Sequence, residues 1–128
     1  MKEVLVVDDS KVMREMVIAC LRPESTLAFT QAASGLEAIE KLSLKSFDLL
    51  LLDLNMPDIG GIEVVEFVRT QDQLRTLPII VVTTRGDDAS REQALAVGAS
   101  RFMTKPFTPA QLLSEVRGVL DERATHAT

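Results

Sequence analysis

The segment Phe47-Asp48-Leu49-Leu50-Leu51-Leu52-Asp53-Leu54-Asn55-Met56-Pro57 sets the fold class. Its apolar run does not alternate with polar residues, which is the pattern of a strand covered on both faces, and it stops on a carboxylate. Similar runs lie at 4–7 and 79–82, with weaker strand candidates at 28–32 and 101–104. Between them the apolar residues recur with helical period. Met13, Met16, Val17, Cys20 and Leu21 form one stripe. Ala38, Ile39 and Leu42 form another, opened by the capping-box pair Ser34 and Glu37. Further helices are predicted at 62–69, with Val64, Val65 and Val68 inward, and at 89–97, stopped by Gly98. The last helix opens on Thr108 as N-cap, Pro109 in the first turn and Gln111 at the capping-box position. Its stripe is Leu112, Leu113, Val116, Val119 and Leu120. Five strands alternating with five helices predict an α/β domain with a parallel sheet, each helix crossing between neighbouring strands.

The 128 residues fit one domain, expected over 1–122, followed by a frayed tail at 123–128 that contains His126. A hydrophobic fraction of 46% supplies a core and excludes a disordered chain. Nineteen acidic residues against fourteen basic ones give a net charge of −5. With no basic run, nucleic acid is not an expected ligand, because neutralising phosphates needs a basic face. The single cysteine, Cys20, can form no intrachain disulfide and reads as a small buried hydrophobe. Met1-Lys2-Glu3 leads straight into a strand-like segment, unlike a signal peptide. No apolar run approaches the roughly 18 residues that a membrane span needs. A soluble cytoplasmic protein is therefore expected.

Ligands of open α/β sheets bind beyond the carboxyl ends of the strands. There the chain carries Asp8 and Asp9, then Asp53 with Asn55, Met56 and Pro57, then Thr83 and Thr84, then Lys105, Pro106 and Phe107. Each has an ordinary reading when taken alone. Asp8 and Asp9 can end a strand and favour the next helix N-terminus, and Asp53 can be a turn residue. Thr83 can be a plain strand residue and Lys105 a solvated amine. Only a parallel sheet brings all of them to one edge, so the motif and the fold support each other. Three carboxylates and one ammonium leave a charge near −2, which a divalent cation would neutralise. Hard oxygen ligands suit Mg²⁺, and the lack of nearby His or Cys disfavours zinc, copper and iron. Phosphoryl transfer fits such a pocket, because its catalysis is mainly positioning and charge neutralisation. Asp53 is the fitted nucleophile, giving an aspartyl phosphate.

The set Asp8-Asp9, Asp53 with Asn55-Met56-Pro57, Thr83, Phe102 and Lys105-Pro106-Phe107 closely resembles the receiver domain of bacterial two-component response regulators. The chemotaxis-type stand-alone regulators match best in size, and the resemblance runs from Lys2 to about Leu120. It implies a flavodoxin-like (βα)5 doubly wound parallel sheet of order 2-1-3-4-5. It further implies that Asp53 takes a phosphoryl group from a phosphohistidine on a sensor histidine kinase or phosphotransfer protein. Asp9, Asp53 and the backbone carbonyl of Asn55 would ligate Mg²⁺, with Asp8 assisting through water. Lys105 would pair with a phosphoryl oxygen, across a cis bond to Pro106. Thr83 would move to hydrogen-bond the phosphoryl group and Phe102 would swing inward. The face made by the fourth helix, fifth strand and fifth helix would then select a downstream protein, with the chain a monomer or a dimer formed on activation.

By the same resemblance the chain is not an enzyme acting on other substrates; it catalyses only its own phosphorylation and dephosphorylation. Two departures stand out. Phe102 replaces the Tyr of many members, and Thr84, followed by Arg85, stands where a smaller residue is usual. Among rival functions, a phosphatase with an Asp-x-Asp motif would need an acid at Asn55. A phosphorylation-independent adaptor usually loses one of the acidic, Thr or Lys positions, all of which are kept. A phosphoryl sink for a shared kinase would have the same residues.

Overall fold

The computed structural model describes residues 1–126. In chain order the elements are β1 (Lys2–Val7), α1 (Lys11–Leu21), β2 (Leu27–Ala32), α2 (Gly35–Leu44), β3 (Leu49–Leu52), α3 (Gly61–Thr70), β4 (Ile79–Thr83), α4 (Asp88–Val97), β5 (Arg101–Thr104) and α5 (Pro109–His126). All strand pairs are parallel and the order is β2-β1-β3-β4-β5, as expected. Every residue of β3 and β4 is buried, which explains their unbroken apolar texture.

Alternate side chains of the same strands feed two cores. Leu5, Val7, Leu50, Leu52, Ile79 and Val81 pack with Ala38, Leu42, Val64, Val65, Val68 and Ala94 of α2, α3 and α4. Val4, Val6, Leu49, Leu51, Ile80 and Val82 pack on the other face with Val17, Ile18 and Leu21 of α1 and Leu112, Val116 and Val119 of α5. The sheet is thus wound on both sides. Asp48 precedes β3 instead of belonging to it: its N–H donates to the Glu3 carbonyl at 2.7 Å and its carboxylate accepts the Glu3 N–H at 2.8 Å. Those two bonds align β3 with β1 before the ladder begins.

The caps follow the sequence closely. Gln111 N–H donates to Thr108 Oγ1 at 3.1 Å while Gln111 Oε1 accepts the Thr108 N–H at 2.8 Å, a reciprocal capping box. Gly98 ends α4 at φ 119, a conformation that a side chain resists.

Three expectations need correction. In α1 the inward residues are Val17, Ile18 and Leu21, whereas Met16 is 40% exposed. A step of 100° per residue turns Met16 onto the flank once Val17 faces the sheet. Cys20 is half-buried, packed at the edge of the α1–α5 core, and burial pushes its thiol above the ordinary value. It therefore stays a thiol, in keeping with the hydrophobe reading. The expected tail is helical as far as His126, beyond the last apolar stripe residue, and 127–128 lie outside the described residues. Arg123 helps to extend α5 by donating to the Asp48 carbonyl at 3.0 Å. Among the described residues no helix is long and apolar enough to cross a membrane.

Candidate functional site

The residues just past β1, β3 and β5 stay on the ladder for one more bond. Asp8 N–H donates to the Ala32 carbonyl at 3.2 Å, Asp53 N–H to the Val7 carbonyl at 3.1 Å and Lys105 N–H to the Thr83 carbonyl at 2.8 Å. Each functional backbone is thereby held by the neighbouring strand's end. The site lies beside β1 and β3, where the strand order reverses.

One oxygen from each of Asp8, Asp9 and Asp53 lies within 4.8 Å of the others. Lys105 Nζ sits 2.8 Å from Asp8 Oδ2 and 3.6 Å from Asp53 Oδ2, with all three side chains less than a tenth exposed. Asp8 is fully engaged, because its Oδ1 also accepts the Ser10 N–H at 2.9 Å. Asp53 Oδ1 accepts the Asn55 N–H at 3.3 Å. Asp9 is exposed, and among the described residues its carboxylate takes no hydrogen bond. Three carboxylates around one ammonium leave a charge of about −2 in a half-enclosed place, and like charges this close repel unless a cation joins them. The donors are all hard oxygens. They fit a divalent ion of the Mg²⁺ type, and the pocket is compatible with one.

Thr83 is fully buried at the end of β4, and its Oγ1 accepts the Arg85 N–H at 3.2 Å. Thr84 and Arg85 are exposed beside it. The Lys105–Pro106 peptide is cis. Phe102, on β5, is half-buried against the α3–α4 side of the core, with the Arg91 guanidinium 6.0 Å from its ring centre. Asp8, Asp9, Asp53 and Lys105 are thus brought together as expected, with Asn55 bonded to Asp53 and Thr83 one strand away.

Two residues that matter here were invisible in the sequence. Arg14 reaches back from α1 to the Asp8 carbonyl at 2.7 Å. Asp58, in the β3–α3 loop, caps α2 from outside, accepting the Gly35 N–H at 3.2 Å and the Leu36 N–H at 3.0 Å. The Leu36 amide, helped by the Ile59 and Gly35 amides, holds the Asp58 carboxyl down at about 2. A depressed carboxyl contributes stability above its unfolded value and loses it as pH falls through the folded one. The stability gap between the wild type and Asp58→Ala should therefore be constant above pH 3.8 and close as pH falls toward about 2. Urea unfolding at a series of pH values measures it, and a gap that widened in acid would refute the cap.

Comparison with known proteins agrees with this geometry. The family model described as response regulator receiver domain matches residues 4–117. The chain is 36% identical over 119 residues to chemotaxis protein CheY1 of Helicobacter pylori, covering 92% of this chain and 96% of that one. Among solved structures, the chemotaxis response regulator CheY4 of Vibrio cholerae superposes with a TM-score of 0.85 at 38% identity, covering 93% of this chain and 98% of that one. The receiver domain of sensor histidine kinase PA1611 from Pseudomonas aeruginosa, with a magnesium ion coordinated in its active site cleft, does so with a TM-score of 0.85 at 28% identity, covering 94% and 98%. The chain belongs to the response regulator receiver domain family, whose members are signalling proteins that interact with histidine kinases and downstream targets.

Proposed function

We propose that this chain, with its receiver unit at 1–122, is a phosphorylation-dependent switch. Asp53 accepts a phosphoryl group from a phosphohistidine of a sensor kinase or phosphotransfer protein, and another protein reads the change through the α4–β5–α5 face. The observation that carries this reading is the meeting of Asp8, Asp9 and Asp53 oxygens within 4.8 Å, with the Lys105 ammonium 3.6 Å from Asp53.

Asp53 Oδ attacks phosphorus as the phosphorus–nitrogen bond to histidine breaks. Asp9, Asp53 and the Asn55 carbonyl are the proposed Mg²⁺ ligands, with Asp8 assisting through water. When bound, the ion neutralises charge on the phosphoryl oxygens. Lys105 takes another oxygen, and Thr83 turns its hydroxyl from the Arg85 amide to a third. Phe102 then moves inward beside it. A charge-assisted hydrogen bond contributes about 1.5–3 kcal/mol, enough to shift a two-state equilibrium tenfold or more. Phe102 offers no phenol hydroxyl, so its contact with a target is apolar. Beyond its own phosphorylation and dephosphorylation the chain catalyses nothing.

Incubation with Mg²⁺ and a small acyl-phosphate donor should add one phosphoryl group to the wild type and none to Asp53→Asn, read by intact mass. Phosphorylation that persists in Asp53→Asn, or turnover of phosphate esters by the wild type, would overturn the reading.

A further inference from the structure

We infer that Arg14 is a positioning residue for the acidic pocket, holding the peptide between Asp8 and Asp9 so that the Asp9 carboxylate faces Asp53. The inference rests on that pocket being the metal and phosphoryl site proposed above.

Asp8 is pinned at every polar atom: its N–H by Ala32, Oδ1 by Ser10, Oδ2 by Lys105 and its carbonyl by Arg14. Asp9 has no such anchor, since its side chain takes no hydrogen bond among the described residues. Its position beside Asp53 therefore depends on the plane of the peptide that precedes it. Arg14 Nη1 donates to the oxygen of that peptide at 2.7 Å. The other arm of the fork, Nε, donates to Gln31 Oε1 at 2.9 Å, which ties the guanidinium to β2. Neither acceptor is a carboxylate. The role of Arg14 is thus geometric, and it needs a planar group with two donors at fixed separation, which a lysine ammonium cannot imitate. Outer groups of this kind orient metal ligands, and losing one typically lowers metal affinity about 10–100-fold.

The test titrates Mg²⁺ into the donor-free protein by calorimetry, for wild type, Arg14→Ala and Arg14→Lys. Both variants should bind Mg²⁺ about tenfold more weakly. In phosphorylation by an acyl phosphate, the Mg²⁺ concentration for half-maximal rate should rise by the same factor. The rate at saturating Mg²⁺ should stay within about twofold of wild type. In the metal-free protein, amide exchange at Ser10, whose N–H donates to Asp8 Oδ1, should accelerate about tenfold in Arg14→Ala while the melting transition stays cooperative. Wild-type Mg²⁺ affinity in Arg14→Ala would overturn the inference, as would full recovery in Arg14→Lys, which would assign the effect to charge. A wild type that bound no Mg²⁺ while exchange still accelerated would instead sink the pocket's metal reading and leave the restraint on the turn standing.

Discussion

Replacing Lys105 with Met should cost the metal-free protein about 3 kcal/mol of stability, the low end for breaking a buried ion pair from one side. Met is unbranched and close to Lys in volume, lacking only the terminal ammonium position, so the loss reports mainly charge and not a large cavity. Nζ lies 2.8 Å from Asp8 and 3.6 Å from Asp53, and each of the three side chains is at most 9% exposed. Without the ammonium, two buried carboxylates and the nearby Asp9 face one another with no counter-charge. The ion pair is shielded by protein, so added monovalent salt should recover little of the loss. Mg²⁺ should recover much of it, because a divalent cation answers the same charge excess. Urea unfolding with and without Mg²⁺ gives the two gaps. Equal gaps in both conditions would show that Lys105 and the metal do not serve the same carboxylates.

The sheet was legible wherever both of its faces are covered. In β3 and β4 burial is complete, and no polar residue interrupts the run. β5, an edge strand whose residues are partly buried or exposed, has no such texture, and its sequence signal was correspondingly weak. Helix α1 shows the limit of counting apolar positions: Val12 and Met16 are apolar yet exposed, while Ile18 fills the core. Hydropathy gives a face only to within the width of one side chain, and sheet packing selects the rotation. Capping by Thr108 was written in sequence because both partners lie within one turn.

The meeting of the pocket's residues was legible because topology alone gathers strand ends. Its supports were not. Arg14 meets Gln31 across 17 residues, and Asp58 meets Leu36 across 22. Both are ordinary charged residues to any local reading, and backbone groups, their main partners, have no signature in sequence. Asp87 was missed for a different reason. It caps α4 by accepting the Ser90 N–H at 3.0 Å, two residues before the start predicted from hydropathy, because polar Asp88 opens the helix.

Gly61→Ala is expected to damage both the fold and the switch. Gly61 opens α3, where alanine would ordinarily help by about 1 kcal/mol through its greater helix propensity. Here an added Cβ would sit 2.4 Å from the Asp53 carbonyl oxygen and 2.8 Å from Leu54 Cα. Both are backbone atoms, so no rotamer change relieves the clash. The Asp53 backbone is itself fixed to β1 through its N–H on the Val7 carbonyl, and Gly61 N–H donates to the Leu54 carbonyl at 3.0 Å. The overlap must be relieved by moving the helix start or the Asp53 backbone. Overpacking of this kind costs about 1–3 kcal/mol, and with backbone on both sides the upper end applies, outweighing the propensity gain. Because an ångström of misplacement at a reacting group can lower a rate about 100-fold, phosphorylation of Asp53 should slow by at least tenfold even in the folded fraction. Chemical denaturation gives the first effect and intact-mass kinetics with an acyl phosphate the second. Normal kinetics in a destabilised Gly61→Ala protein would mean that α3 yields and Asp53 does not, separating the helix start from the proposed phosphorylation site.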